Sequence, residues 1–109
     1  MLEKEDYPEV VQDYKLEYLD NLRSYWLKNG IEFSDLNFQE LCTMSIEDED
    51  CSPSKRSIDL NLGFHGQKEP VNILIECYYK LGNIMHIYSK NQPLLDAFTK
   101  AGNQAKQSE

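Results

Sequence analysis

The chain reads as a single α+β domain: an N-terminal amphipathic helix, a three- to four-stranded antiparallel meander and a C-terminal helix, packed in two layers. Three observations predict this. Apolar residues recur at helical spacing between Val10 and Trp26, two later segments alternate with period two, and a capped apolar run follows them.

The first helix is predicted over 7–29. Asp6, Pro8 and Glu9 resemble a capping box with proline in the first turn. Val10, Val11, Tyr14, Tyr18, Leu19, Leu22, Tyr25 and Trp26 then fall within about half of a helical wheel. Lys28-Asn29-Gly30 supplies a cation for the last turn and a glycine free to adopt the left-handed stop.

Residues 31–40 form a connector whose Ile31, Phe33, Leu36 and Phe38 would be costly to leave in water. They are expected to pack under the sheet or to add a short strand. Residues 40–47 place Cys42, Met44 and Ile46 against Thr43 and Ser45, a strand pattern. The polar stretch 47–56, with Pro53, reads as an exposed loop.

Residues 57–64 alternate cleanly, Ile58, Leu60, Leu62 and Phe64 opposing Ser57, Asp59, Asn61 and Gly63. A turn at 65–70 leads to a strand at 71–81. There Val71, Ile73, Ile75, Cys77 and Tyr79 face the core, and Leu74, Glu76 and Tyr78 the reverse. Gly82-Asn83 fits a two-residue hairpin turn, and 84–89 returns as the last strand. Asn91 caps the final helix, Pro93 enters its first turn, and Leu94, Leu95, Phe98 and Ala101 give its apolar side. The domain is thus expected over 1–102, with 103–109 a frayed tail that has little to bury.

The 109 residues suffice for one core, and 11% aromatic content with 40% hydrophobic residues separates the chain from disordered polyelectrolytes. A formal net charge of −8 argues against nucleic acid, whose phosphates require clustered Lys and Arg, and against anionic membrane surfaces. It permits a basic protein partner. The first residues show neither the basic nor the apolar stretch of a signal peptide, and no apolar run approaches the roughly 20 residues of a membrane span. Cys42, Cys51 and Cys77, an odd set without a C-x-x-C pair, are expected as free thiols in the cytoplasm.

The most conspicuous candidate site is acidic. On the expected first helix Asp6, Glu9, Asp13, Glu17 and Asp20 recur every three or four residues and would form a carboxylate stripe facing water. Glu47, Asp48, Glu49 and Asp50 add four carboxylates on the loop. Such a surface either keeps the protein soluble or docks a basic partner. Calcium is disfavoured, because 47–56 lacks the central glycine and the closing acid of a calcium loop. Zinc is disfavoured because the cysteines and His65 and His86 include no closely spaced ligand pair. No cofactor is expected.

For catalysis the one arrangement to weigh is a cysteine beside a histidine. The Gly82-Asn83 turn would set Leu81 opposite Ile84, Tyr79 opposite His86 and Cys77 opposite Tyr88, leaving Cys77 and His86 diagonal neighbours. No third orienting group is evident, and no phosphate loop or nucleophile elbow occurs, so an enzyme is not expected. The same register groups Tyr78, Met85 and Ile87 on the second sheet face, either covered within the fold or exposed as an interface.

The expected function is therefore protein binding: a small acidic domain, monomeric or homodimeric, that neutralises or escorts a basic partner, as a bacterial immunity protein or antitoxin would. Glu9, Asp13, Glu17, Asp20 and Glu47 to Asp50 are the expected contacts. The alternatives are a secretion or assembly chaperone receiving an extended client segment, and a small enzyme using Cys77 and His86. Mimicry of nucleic-acid charge fits less well, because Lys55, Arg56, Lys68 and Lys80 interrupt the acidic surface.

Overall fold

The computed structural model describes residues 7–14, 19–44, 55–78 and 84–107. In chain order these form β1 (Glu9–Asp13), α1 (Leu19–Lys28), β2 (Ile31–Glu32), α2 (Asp35–Met44), β3 (Lys55–Phe64), β4 (Val71–Tyr78), β5 (Ile84–Tyr88) and α3 (Gln92–Gln107). The five strands make one antiparallel sheet in the order β1-β5-β4-β3-β2. The α+β class and the antiparallel sheet match the sequence expectation. Helix order and strand count differ.

The alternation of β3 and β4 sorts the sheet into two faces. Leu60, Leu62, Phe64, Ile73, Ile75 and Cys77 are buried on the inner face, joined by Met85 and Ile87 of β5. One continuous core links them to Leu19, Leu22 and Trp26 of α1, Phe38 and Leu41 of α2, and Leu94, Leu95, Phe98 and Ala101 of α3. All three helices therefore lie on the inner side. Trp26 anchors the layer, stacked on Phe33 at 4.8 Å and edge-on to Phe98 at 5.7 Å between ring centroids.

The single helix expected over 7–29 is replaced by β1 and a shorter α1. Val10 and Val11 are β-branched and suit a strand, and extending them pairs 9–13 with β5. Among the described residues, helical spacing is realised by Leu19, Leu22, Tyr25 and Trp26 in α1. The predicted stop holds: Gly30 has φ 85°, and its N–H donates to Leu27 O at 3.0 Å.

Of the strand expected over 40–47, residues 40–44 are instead the end of α2, and 45–47 lie outside the described residues. Ser34 Oγ accepts from the Asn37 N–H at 3.1 Å, an N-cap that starts a helix burying Phe38 and Leu41 three residues apart. The connector's expected short strand is β2, paired with Phe64 and Gly63.

The C-terminal helix follows its prediction at its start, where Asn91 Oδ1 accepts from the Leu94 N–H at 3.1 Å. It then runs through Gly102 to Gln107. A Cβ on Gly102 would come within 2.8 Å of Gln12 Nε2, so the glycine lets α3 pack close over β1.

Candidate functional site

The outer face of the sheet carries no helix among the described residues. It is built from alternate residues of each strand: Glu9, Val11 and Asp13 on β1, Ile84, His86 and Tyr88 on β5, Leu74, Glu76 and Tyr78 on β4, and Ser57, Asp59 and Asn61 on β3. Its rim is wet, and Val11 is 53% exposed.

At its centre is a buried carboxylate. Glu76 is 3% exposed although it points away from the core. His86 stands directly opposite it across the β4–β5 pair. The Tyr78 and His86 rings lie 4.8 Å apart, and His86 stacks beside Tyr88 at 6.4 Å. Together these rings shield Glu76 from water. Tyr78 Oη donates to Glu76 Oε1 at 3.4 Å, and the Tyr88 phenol interacts with both Glu9 and Glu76. A buried carboxylate is tolerated where such donors replace its water.

Glu9 closes the cluster from the edge strand. Its Oε2 is 2.9 Å from His86 Nδ1. Hydrogen bonds from His86 and then from Tyr88 hold the Glu9 carboxyl below its usual range. Burial, reinforced by the bond to Glu9 and the charge of Glu76, pushes the Tyr88 phenol well above its usual range. Farther across the face, Asn72 Nδ2 donates to Asp59 Oδ1 at 2.6 Å. Asp13 lies 3.9 Å from Lys106 of α3, both well exposed.

Of the expected acidic contacts among the described residues, Glu9 and Asp13 come together, on one face of a strand rather than along a helix. Asp20 sits in α1 on the helical side, where its charge, after burial, contributes to raising the Cys42 thiol. Glu17 and Glu47 to Asp50 lie outside the described residues. The carboxylate stripe is thus not a feature of one helix.

The β4–β5 register also departs from expectation. Tyr78, not Leu81, opposes Ile84, so Cys77 opposes Met85 and Glu76 opposes His86. An odd shift exchanges the faces. It sends Met85 and Ile87 inward with Cys77, and it gathers Tyr78, His86 and Tyr88 outside. The expected Tyr78, Met85 and Ile87 patch does not form, and Cys77 and His86 lie on opposite sides of the sheet. The Cys77–His86 pair is therefore not a nucleophile and its base.

Sequence reading missed Glu76, Tyr88 and Asp59 as a group with Glu9. The available signal was the alternation itself, which already set Leu74, Glu76 and Tyr78 opposite the core residues of the same strand. No cluster of three or more His, Cys, Asp or Glu suited to a metal ion occurs among the described residues. Likewise, no described helix is long and apolar enough to cross a membrane. Carboxylates beside tyrosine and histidine rings form a surface suited to ammonium and guanidinium groups, through charge-assisted hydrogen bonds and ring–cation contact. Comparison of the chain with protein-family models, with characterised proteins and with solved structures finds no match to any of them.

Proposed function

We propose that this chain is a protein-binding domain that neutralises or escorts a basic partner, and that the outer sheet face is where the partner docks. The observation that carries the reading is the Glu9–His86–Glu76–Tyr88 cluster at the centre of a face on which no described helix packs. Tyrosines held in place by hydrogen bonds make rigid anchors that lose little entropy on binding, and Glu9, Asp13 and Asp59 surround them with negative charge. The net charge of −8 adds long-range steering toward a cationic protein. An immunity protein masking a toxin domain is the kind of role that combines these properties.

The test compares two neutralised variants in pull-downs from the source cell at low salt. One carries Glu9→Gln, Asp13→Asn and Asp59→Asn on the sheet face. The other carries Asp20→Asn, Glu40→Gln and Asp96→Asn on the helices. Loss of a basic partner with the first set alone supports the reading. Equal retention by both variants, or equal loss, overturns it.

A further inference from the structure

The strand β1 ends the sheet, and among the described residues it pairs only with β5. A strand end of this kind presents backbone donors and acceptors on its outer side. Beside it lies a cavity of about 60 Å³, lined by Val11 and Gln12 of β1 and by Gly102, Asn103 and Lys106 of α3 among others, the Lys106 amine lying 3.9 Å from Asp13 in an exposed pair that an incoming cation can replace. The cavity's lining comes from β1 and α3 alone and includes no residue of β5, so it lies between the edge strand and the helix.

The cavity is not simply greasy. Gln12 is 5% exposed, and its Oε1 has no hydrogen-bond partner among the described residues. A buried acceptor left without a donor is destabilising. Gln12 therefore offers a buried acceptor, with no donor among the described residues, at the side of a strand edge.

We infer that the β1 edge and the groove beneath α3 receive an extended basic segment of the partner, which adds to the sheet as a sixth strand. This rests on the reading of the chain as a binder of basic proteins and specifies how part of that partner is held. Charge selects the occupant. A second copy paired antiparallel about Val11 would set Glu9 against Asp13 twice, and like charges directly opposed disfavour pairing. An antiparallel segment with cations opposite Asp13 and Glu9 and an apolar residue opposite Val11 complements the edge. Between them, a hydroxyl side chain opposite Gln12 enters the cavity and donates to Oε1. The segment thus carries a cation, a hydroxyl and an apolar residue in succession, then a small residue opposite Val10 and a second cation.

A fluorescein-labelled peptide Ala-Lys-Thr-Val-Ser-Lys-Ala, titrated into the full chain by fluorescence anisotropy at low salt, tests this. Two further peptides carry N-methyl groups on one or the other set of alternate amides, with sequence and charge unchanged. A strand turns only one set toward its neighbour, so one methylated form should bind at least about tenfold more weakly while the other matches the parent. Gln12→Leu, which keeps the shape but removes the acceptor, should weaken the parent peptide by about three- to tenfold and leave a Thr-to-Ala peptide unaffected. Equal, salt-sensitive binding of all three peptides overturns edge pairing and leaves docking on the outer face standing. No binding by any of them overturns the inference and leaves the outer-face reading to the pull-down of the neutralised variants. A dimer in sedimentation that the peptide does not dissociate, and that Val11→Lys does, assigns the edge to a second copy and overturns the inference.

Discussion

Glu9 on the edge strand and His86 on its neighbour are joined at 2.9 Å across the outer face, diagonally rather than directly opposed, because Glu9 pairs with Tyr88 and Val11 with His86. The pair ties the end of the sheet to the aromatic cluster at its centre. Its pH dependence has a defined sign. The folded-state pKa of Glu9 is depressed, so its contribution is fully present above the ordinary carboxylate value and is lost as pH falls through the folded value. The Glu9 side chain is 43% exposed, and screening limits the contribution to under about 1 kcal/mol. Urea unfolding from pH 7 down to about 3 should show Glu9→Gln less stable than the parent at the neutral end, with the two curves converging in acid. A constant gap across the range would show that the carboxylate charge has no part in it.

The alkaline side tests Tyr88. Its folded-state pKa is raised, so its contribution is intact below the ordinary phenol value near 10 and is lost as pH climbs above it. Absorbance at alkaline pH should reveal a tyrosine that ionises only as the protein unfolds. Tyr88→Phe should abolish that late step and flatten the fall in stability above about pH 10. If the late ionisation persists in Tyr88→Phe, another tyrosine is responsible.

Gly30 and His65 give a backbone test away from the face. Gly30 ends α1 with φ 85°, its carbonyl accepts from the His65 N–H at 2.8 Å, and an added Cβ would overlap the imidazole, 2.8 Å from its Cγ. Gly30→Ala therefore meets both left-handed strain and a clash. A loss of about 2 kcal/mol is expected in urea unfolding, against the usual gain from removing a flexible glycine. His65→Ala in the same chain should recover the clash part but not the strain part. Full recovery would show that the conformation itself costs nothing.

These residues also show what local pattern can and cannot specify. Gly30, Asn91 and the alternation of 57–64 act through their immediate neighbours, and each element or boundary they predict forms. β1 does not follow from its own spacing: Val10 and Val11 fit a helical wheel, and only pairing with β5, more than 70 residues along the chain, makes them a strand. The β4–β5 register is decided similarly. Gly82-Asn83 suggests a two-residue turn, but that register would turn His86 and Tyr88 toward Ile75 and Cys77 and expose Met85 and Ile87. Burial of those apolar side chains outweighs the turn preference. The candidate site inherits this division. Glu9 and Asp13 were visible as acidic residues, whereas their grouping with Glu76, His86 and Tyr88 depends on two strand pairings that sequence spacing does not encode.

The core offers the sharpest separation between volume and polarity. Trp26 is fully buried between Phe33 and Phe98, yet its Nε1–H finds no acceptor among the described residues. Trp26→Ala empties the centre of the core and should cost about 3–5 kcal/mol. Trp26→Phe also loses volume, but it removes a buried donor whose missing partner costs roughly 1–3 kcal/mol. The two effects oppose, so Trp26→Phe should lie within about 1 kcal/mol of the parent, far from the alanine variant. Because the only tryptophan is lost in both, unfolding is followed by circular dichroism. A phenylalanine variant as unstable as the alanine one would mean that the indole N–H is hydrogen-bonded in solution and that its bond, not only its ring, holds the core together.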